Sequence, residues 1–431
     1  MAILQISPIE SHPTFNEKKE IGTLLIGAVG AENPNPVKEC AEYAYKKANL
    51  VRVNPEGVSI AARYIRDKLL SESYSPRTWR THALHILPRE PYSPSDSWNK
   101  TVLDWIFLIS SLNFSFWSEK EGQPDRYGVE WQSSWDDKEK KVWTGYWSLV
   151  AALNKAMQSG IPITDPTFYS SETLCPDVLI ESVFQEANQS SESIPLLQQR
   201  IAIMREVGFI LTNAFGGSYQ GLLAEFQRRH DGQGTAIDLV KLVTETFPSF
   251  KDEVYLDGRK VCIWKRAQIL VADTWAAFYP DPSVTSTHPL FPGTRGASIQ
   301  DLTMFADYRV PQILHHLKIL SYPSSLVDAL RNGVSLAPGS REEISLRAAS
   351  IVAVERVREE MIKLMQGSSS GAYANALAKN GVKDSTNDIS SVLIDFFLWD
   401  LAKRLERGED KVEGIDTVEI IPAHRTRSIW Y

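Results

Sequence analysis

From Asn35 onward, apolar residues return at intervals of three and four in one segment after another. The run "NPVKECAEYAYKKANLVRVN" begins the series, and 57–70, 99–114, 146–159, 196–215, 236–246, 265–278, 311–320 and 341–365 continue it. A repeat near 3.6 gathers such residues on one side of a helix, so the body of this chain has to be built by packing helices. Two stretches break the pattern. "RYGVEWQSSWDDKEKKVWTGYW" (126–147) and "VYLDGRKVCIW" (254–264) alternate about polar turns, the second through an Asp-Gly pair suited to a tight hairpin. The expected fold is mainly α-helical, with small β-hairpins on a helical body. No repeat of fixed period runs along it, which argues against a solenoid.

Two segments stand apart from the helical series. Residues 1–36 carry scattered Pro, Ser, Asn and Glu without sustained periodicity and read as a weakly ordered N-terminal extension. Residues 366–388, rich in Ser, Gly, Ala and Asn, read as a surface insertion between two helices. The rest, 37–431, reads as a single helical domain, and a chain of 431 residues with 43% hydrophobic content can bury the core that such a domain needs.

Charge and cysteine usage exclude several functions. The formal charge is −7, with acids and bases interspersed, which opposes a polyanion-binding surface over the whole molecule but leaves room for a local basic pocket. Cys40, Cys175 and Cys262 lie far apart without metal-ligand spacing, so neither a disulfide framework nor a zinc site is expected. The adjacent His315 and His316 fall on different helical faces and do not form a metal pair. "IGTLLIGAVG" (21–30) is too short to span a bilayer, and no signal-peptide pattern opens the chain. A cytoplasmic or other reducing compartment is expected, with no membrane partner. There is no phosphate-binding P-loop and no GxSxG, while "FGGSYQG" (215–221) lacks the preceding strand that a dinucleotide fingerprint requires. "RRHDGQG" (228–234) reads as a polar loop.

Five stretches can carry chemistry. In "LTMFADYRVPQIL" (302–314) Asp307 sits between Phe305 and Tyr308, at the entry to a helix whose first position suits Pro311. It is either an acid paired with Arg309 or capping that helix, or a carboxylate kept ionised in a dry pocket by the positive helix end. In "LIDFFLWDLAKR" (393–404) Asp395 and Asp400 punctuate an aromatic helix about 140° apart, so one can face a pocket while the other braces it or pairs with Lys403 or Arg404. "SSLNFSFWSEKE" (110–121) and "WTGYWSLVAALNKAMQSGIPITDPTFY" (143–169) are dense in aromatics that form either core or stacking walls for a flat heterocycle. In "WKRAQILVADTWAAF" (264–278), Lys265 and Arg266 open an apolar helix that also carries Asp273, and phosphate contact competes there with plain salt bridging.

These blocks, together with "FPSFKDE" and the order in which they occur, resemble the queuosine salvage protein family, queuosine 5′-phosphate N-glycosylases, over roughly residues 37–431. The resemblance implies a helical domain distantly similar to helix-hairpin-helix DNA glycosylases. It implies hydrolysis of queuosine 5′-phosphate, so that queuine can be reused in tRNA; no cofactor is expected, and without ligand spacing no metal is expected either. It puts the catalytic carboxylate at Asp307 with Phe305 against the base, and base recognition at His85 in "HALHILP", Asp395, Phe396 and Asp400. Other members can carry Tyr where this chain has Phe396, so a hydroxyl contact there is lost and stacking remains. Tyr308 is a further contact candidate. The base carries a cationic aminomethyl arm, which gives Asp395 and Asp400 a reason to be acidic, and Lys265, Arg266 and Arg309 are the candidates for the 5′-phosphate. The expected partner is this small nucleotide, without a stable nucleic-acid complex. The competing expectation, a non-enzymatic helical module binding tRNA or a modified nucleoside, calls for a basic face with exposed aromatics along it, which the acidic balance opposes.

Overall fold

Asn-Pro pairs open the first two helices. In α1 (Pro36–Ala48) and α2 (Pro55–Ser71) the Asn35 and Asn54 side chains accept the N–H groups of Val37 and Glu56, and proline fills the first position, where its missing N–H costs nothing. The computed structural model describes residues 34–367 and 389–431 apart from 282, 286 and 294–298. The expected extension up to residue 33 and the expected insertion from residue 368 on lie outside the described residues.

Between α1 and α2 runs β1 (Arg52–Val53); a 3-10 turn (Pro76–Thr81) and α3 (Ser97–Leu112) follow. The first expected hairpin is β2 (Gly128–Gln132) paired with β3 (Lys140–Thr144), and Tyr146 and Trp147, read with it, instead begin α4 (Tyr146–Gln158). Then come α5 (Pro166–Tyr169), α6 (Asp177–Val183), α7 (Leu197–Ala214), α8 (Tyr219–Arg229) and α9 (Ala236–Thr246). The second hairpin joins β4 (Glu253–Leu256) to β5 (Arg259–Cys262), with Asp257 and Gly258 both at positive φ, 49° and 78°, as a tight two-residue turn requires. It leads into α10 (Lys265–Ala277). After the loop that carries Asp307 come α11 (Arg309–His316), β6 (Leu320–Ser321), α12 (Ser324–Arg331), α13 (Arg341–Gly367) and α14 (Ser391–Glu406).

Three readings of the sequence need correction. The helix expected over 311–320 begins at Arg309 and ends at His316, and Leu320 instead pairs with Val53 across the β1–β6 bridge. Pro311 therefore stands third in the helix, still within the first turn, where backbone N–H groups have no intrahelical acceptor. The polar loop expected over 228–234 is helical at Arg228 and Arg229, because α8, capped by Ser218 on the N–H of Gln220, runs through them.

Buried apolar side chains fall into two clusters. One gathers α3, α4, α7, α9 and α10; the other gathers α1, α2, α11, α13 and α14. The loop before α11 divides its residues between them: Leu302 and Phe305 pack into the first, Met304 and Ala306 into the second. Helix α14 does the same, with Val392 and Phe396 toward the first cluster and Leu393, Ile394 and Phe397 toward the second. Both elements thus run along the boundary between the cores. All three cysteines are free; Cys40 and Cys262, 222 residues apart, bring their sulfurs to 3.3 Å.

Candidate active site

The loop that carries Asp307 is fixed at nearly every residue. Thr303 N–H donates to Gln268 Oε1 at 3.0 Å, Phe305 N–H to Asp395 Oδ1 at 2.9 Å, and Arg347 Nε to the carbonyl of Ala306 at 3.0 Å. Arg347 is itself held by Asp252 and Glu343 in a buried charge cluster. Asp307 Oδ1 then accepts the N–H groups of Arg309 and Val310, at 2.8 and 2.9 Å. Tyr308 occupies the N-cap position but makes no side-chain cap bond, so the acid one residue earlier caps α11. Its pairing with Arg309 is not formed: that guanidinium binds Glu121 at 2.7 Å and Glu406 at 3.0 Å.

This loop opens on a cavity of about 370 Å³ between the two cores, of a size suited to a small organic ligand. Asp307, Phe305, Tyr308, His85, Lys265, Arg309, Asp395, Phe396 and Asp400 all line it. Arg266 does not. It is buried on the other side of α10, where its guanidinium is taken up by the carbonyls of Ser111 and Ser249, so it is removed as a phosphate candidate. Neighbours on a helix point about 100° apart, and here one enters the cavity and the other the core.

Four acids line the cavity, and each commits one oxygen to the protein. Asp307 caps α11; Asp395 holds Phe305; Asp400 Oδ2 accepts the Tyr74 hydroxyl at 2.5 Å; Asp273 Oδ1 accepts the Trp79 indole N–H at 3.1 Å. Their other oxygens have no hydrogen-bond partner among the described residues. Burial raises the pKa of all four, that of Asp273 to about 7 and that of Asp395 well above the usual carboxylate range, the latter also through the charge of Asp307. Lys265 and the two capping N–H groups pull Asp307 back toward its anion. Among the cations, Lys265 donates to the Asn113 carbonyl at 3.1 Å and Lys403 to Glu406 at 2.7 Å, and burial lowers each to about 8. Arg404, offered above as a partner for Asp400, goes to Glu72 and Asp410 instead.

Aromatic rings make the rest of the wall. His85 stacks on Trp79 at 3.9 Å, and His82 lies flat on Trp147 at 3.4 Å. The Trp79 carbonyl can only accept, so His85 Nδ1, 2.7 Å away, carries the proton. Burial lowers its pKa to about 4, so the ring is neutral near neutral pH and Nε2 is left as a bare acceptor. From the two aromatic stretches, Asn113, Phe116, Tyr146 and Trp147 reach the cavity, while Phe114 and Tyr169 are core. The sequence reading missed Tyr74, Trp79, Trp399, Lys403 and Tyr431 as lining residues, and it noted Asp273 without giving it a place in the site. The concentration of His and Trp in 79–85, odd for a polar turn, was the available signal for Trp79. Among the described residues no group of three or more His, Cys, Asp or Glu could hold a metal ion, and no helix is long and apolar enough to cross a membrane.

A family model described as queuosine salvage protein matches residues 92–431. The queuosine 5′-phosphate N-glycosylase/hydrolase of Schizosaccharomyces pombe is 38% identical over 401 residues, covering 92% of this chain and 99% of its own length. The proteins of that name from Mus musculus and Sphaerobacter thermophilus are each 33% identical, over 92% and 86% of this chain and 99% and 91% of their own lengths. With its matches spread over nearly the whole sequence, including the loop and helix that shape the cavity, the chain belongs to the queuosine salvage protein family.

Proposed function

We propose that this protein hydrolyses the N-glycosidic bond of queuosine 5′-phosphate, releasing queuine for salvage into tRNA modification. One observation carries the chemical part of the reading. Asp307 is tied by one oxygen to the N-terminus of α11 and turns its other oxygen, without a protein partner, into a cavity walled in part by aromatic rings. Cleaving an N-ribosidic bond develops positive charge on the sugar, and a fixed anion in a low-dielectric site offsets that charge without reorganising. The flat base finds stacking surfaces in Phe305, Phe396 and the Trp79–His85 pair. His85 Nε2 is an acceptor for a base N–H. Asp395 and Asp400 offer carboxyl oxygens to the cationic arm. Lys265 and Lys403 supply cations for the 5′-phosphate, with Arg309 behind them in its own ion pairs.

Aromatic side chains converge on one cavity of about 370 Å³ whose charged lining includes four acids, which favours a small nucleotide over a nucleic-acid partner. The free, buried thiols suit a reducing intracellular compartment. The test is incubation of purified protein with queuosine 5′-phosphate and, separately, with queuosine, following free queuine by mass spectrometry. Queuine released from the phosphate is the expected result, and its absence with a correctly folded protein rejects the reading.

A further inference from the structure

We infer that Asp273 is a further catalytic residue, which touches the departing base and delivers a proton to it as the glycosidic bond breaks. The inference rests on the reaction proposed above. Every residue of α10 is buried, yet the helix carries a carboxyl in its third turn. A buried structural acid is ordinarily satisfied by a cation. No cation pairs with Asp273 among the described residues, and its hydrogen bond comes from the Trp79 indole. The side chain nonetheless lines the cavity, so its second oxygen is presented to whatever binds there.

Its surroundings favour the base rather than the phosphate. Trp79 is a link between two functional groups: its indole N–H holds Asp273, while its carbonyl holds His85, whose ring stacks on it. A flat base belongs in this aromatic part of the cavity, and a phosphate dianion is repelled from a carboxyl there. Asp395 feels the charges of both Asp307 and Asp273, which leaves the cavity with more acids than can all be ionised together.

The titrating and charged groups around Asp273 are few. Lys265 lies two turns earlier on its own helix, His85 and Arg80 come from the 3-10 turn and the loop after it, Tyr146 from α4 and Asp395 from α14. Arg80 is directed to the carbonyl of Ala277 and to Glu90, and Asp104 of α3 is occupied by Lys100, Ser218 and the Tyr219 N–H. Burial outweighs the Trp79 hydrogen bond and Lys265, leaving Asp273 with a pKa of about 7. Asp307, with two N–H groups on one oxygen, is the anion; Asp273 is the acid.

The bond between C1′ and the base nitrogen breaks and its electron pair goes to the base, which takes the Asp273 proton. A water adds its oxygen to C1′ and gives up a proton to Asp307; exchange with solvent restores both carboxyls. A 7-deazapurine lacks one ring nitrogen at which purine leaving groups are protonated, so an acid placed elsewhere around the ring has more to contribute.

The experiment compares wild type, Asp273→Asn, Asp273→Glu and Asp307→Asn on queuosine 5′-phosphate and on 4-nitrophenyl riboside 5-phosphate, whose leaving group departs without a proton. Asp273→Asn should lower kcat/KM for queuosine 5′-phosphate by about 10²–10⁴-fold and abolish the fall in rate as pH rises through about 7. Asp273→Glu should recover part of the rate. On the nitrophenyl substrate Asp273→Asn should stay within about tenfold of wild type while Asp307→Asn is inactive. Queuine binding to Asp273→Asn, read by quenching of the cavity tryptophans, establishes that it is folded. An alkaline limb that survives in Asp273→Asn, or equal losses on both substrates, overturns the inference. Failure of wild type to release queuine overturns the proposed reaction instead, so the two outcomes are distinct.

Discussion

The backbone N–H of Phe305 donates to the carboxyl of Asp395 at 2.9 Å, across 90 residues of sequence. Helix α14 therefore holds the loop on which Asp307 is mounted, and the same acid lines the cavity into which Asp307 faces. Because Asp307 and Asp395 share this space, the charge of one raises the pKa of the other, and the pair tends to hold a single negative charge. Placement of the anion and its ionisation are thus linked through one side chain.

Replacing Asp307 by Asn should abolish turnover with little effect on the melting temperature. The amide oxygen can still accept the N–H groups of Arg309 and Val310, so α11 keeps its cap while the charge is lost. A loss of at least about 10²-fold in kcat is expected. Single-turnover rates within about tenfold of wild type would remove Asp307 from the chemistry.

Asp400→Asn should separate recognition from folding, since the amide oxygen still accepts the Tyr74 hydroxyl. If the free oxygen contacts the cationic arm, discrimination against an armless substrate falls by about tenfold to a hundredfold, equivalent to roughly 1.5–3 kcal/mol. Asp395→Ala should lower the rate on both substrates as well, because it removes the acceptor that holds the loop through the Phe305 N–H. Equal losses on both substrates for both variants would refute arm recognition by α14.

Arg347→Met should destabilise the protein by about 3–5 kcal/mol, measured by urea unfolding, because it leaves Asp252 and Glu343 buried without their cation. Activity should fall as well, since the Ala306 carbonyl loses its donor one residue before Asp307. A stable variant with normal turnover would show that this charge cluster does not support the loop.

Stability should fall as pH rises toward neutrality, with Asp273 as one identifiable source. Its carboxyl has a pKa of about 7 when folded and about 3.9 when unfolded, so the folded state binds the extra proton between those values. The contribution of the neutral acid is full below about pH 4 and is lost as pH passes through about 7, on the order of 3–4 kcal/mol at most. Asp273→Asn does not titrate, so the difference in melting temperature between about pH 5 and pH 8 should be smaller than in wild type. Identical differences would mean that Asp273 is already ionised at the lower pH.

Much of the fold was legible because its signals are local. Helix periodicity and an Asp-Gly turn each act over a few residues, and α1, α2, α10, α13 and the β4–β5 hairpin lie close to where those signals put them. The blocks around Asp307 and Asp395 were legible as candidates for a similar reason, since an acid among aromatics is unusual wherever it falls. Helices α8 and α12 were missed because neither had a sufficiently long apolar repeat, and tertiary contacts decide such short elements. β1 and β6 are two residues each and pair across more than 260 positions, a contact with no local signature.

Composition, charge and periodicity settle that this chain packs helices around a large apolar interior and which residues are candidates for chemistry. They do not settle partners. Lys265 and Arg266 are adjacent cations on one helix, yet one lines the cavity and the other is used up by two core carbonyls. Asp273 reads as one more acid in an apolar helix until Trp79, 194 residues earlier, is found against it with His85 behind. A helical repeat specifies which face is buried, but what covers that face depends on packing between segments far apart in the chain, and there a carboxyl's charge and the partner for its free oxygen are decided.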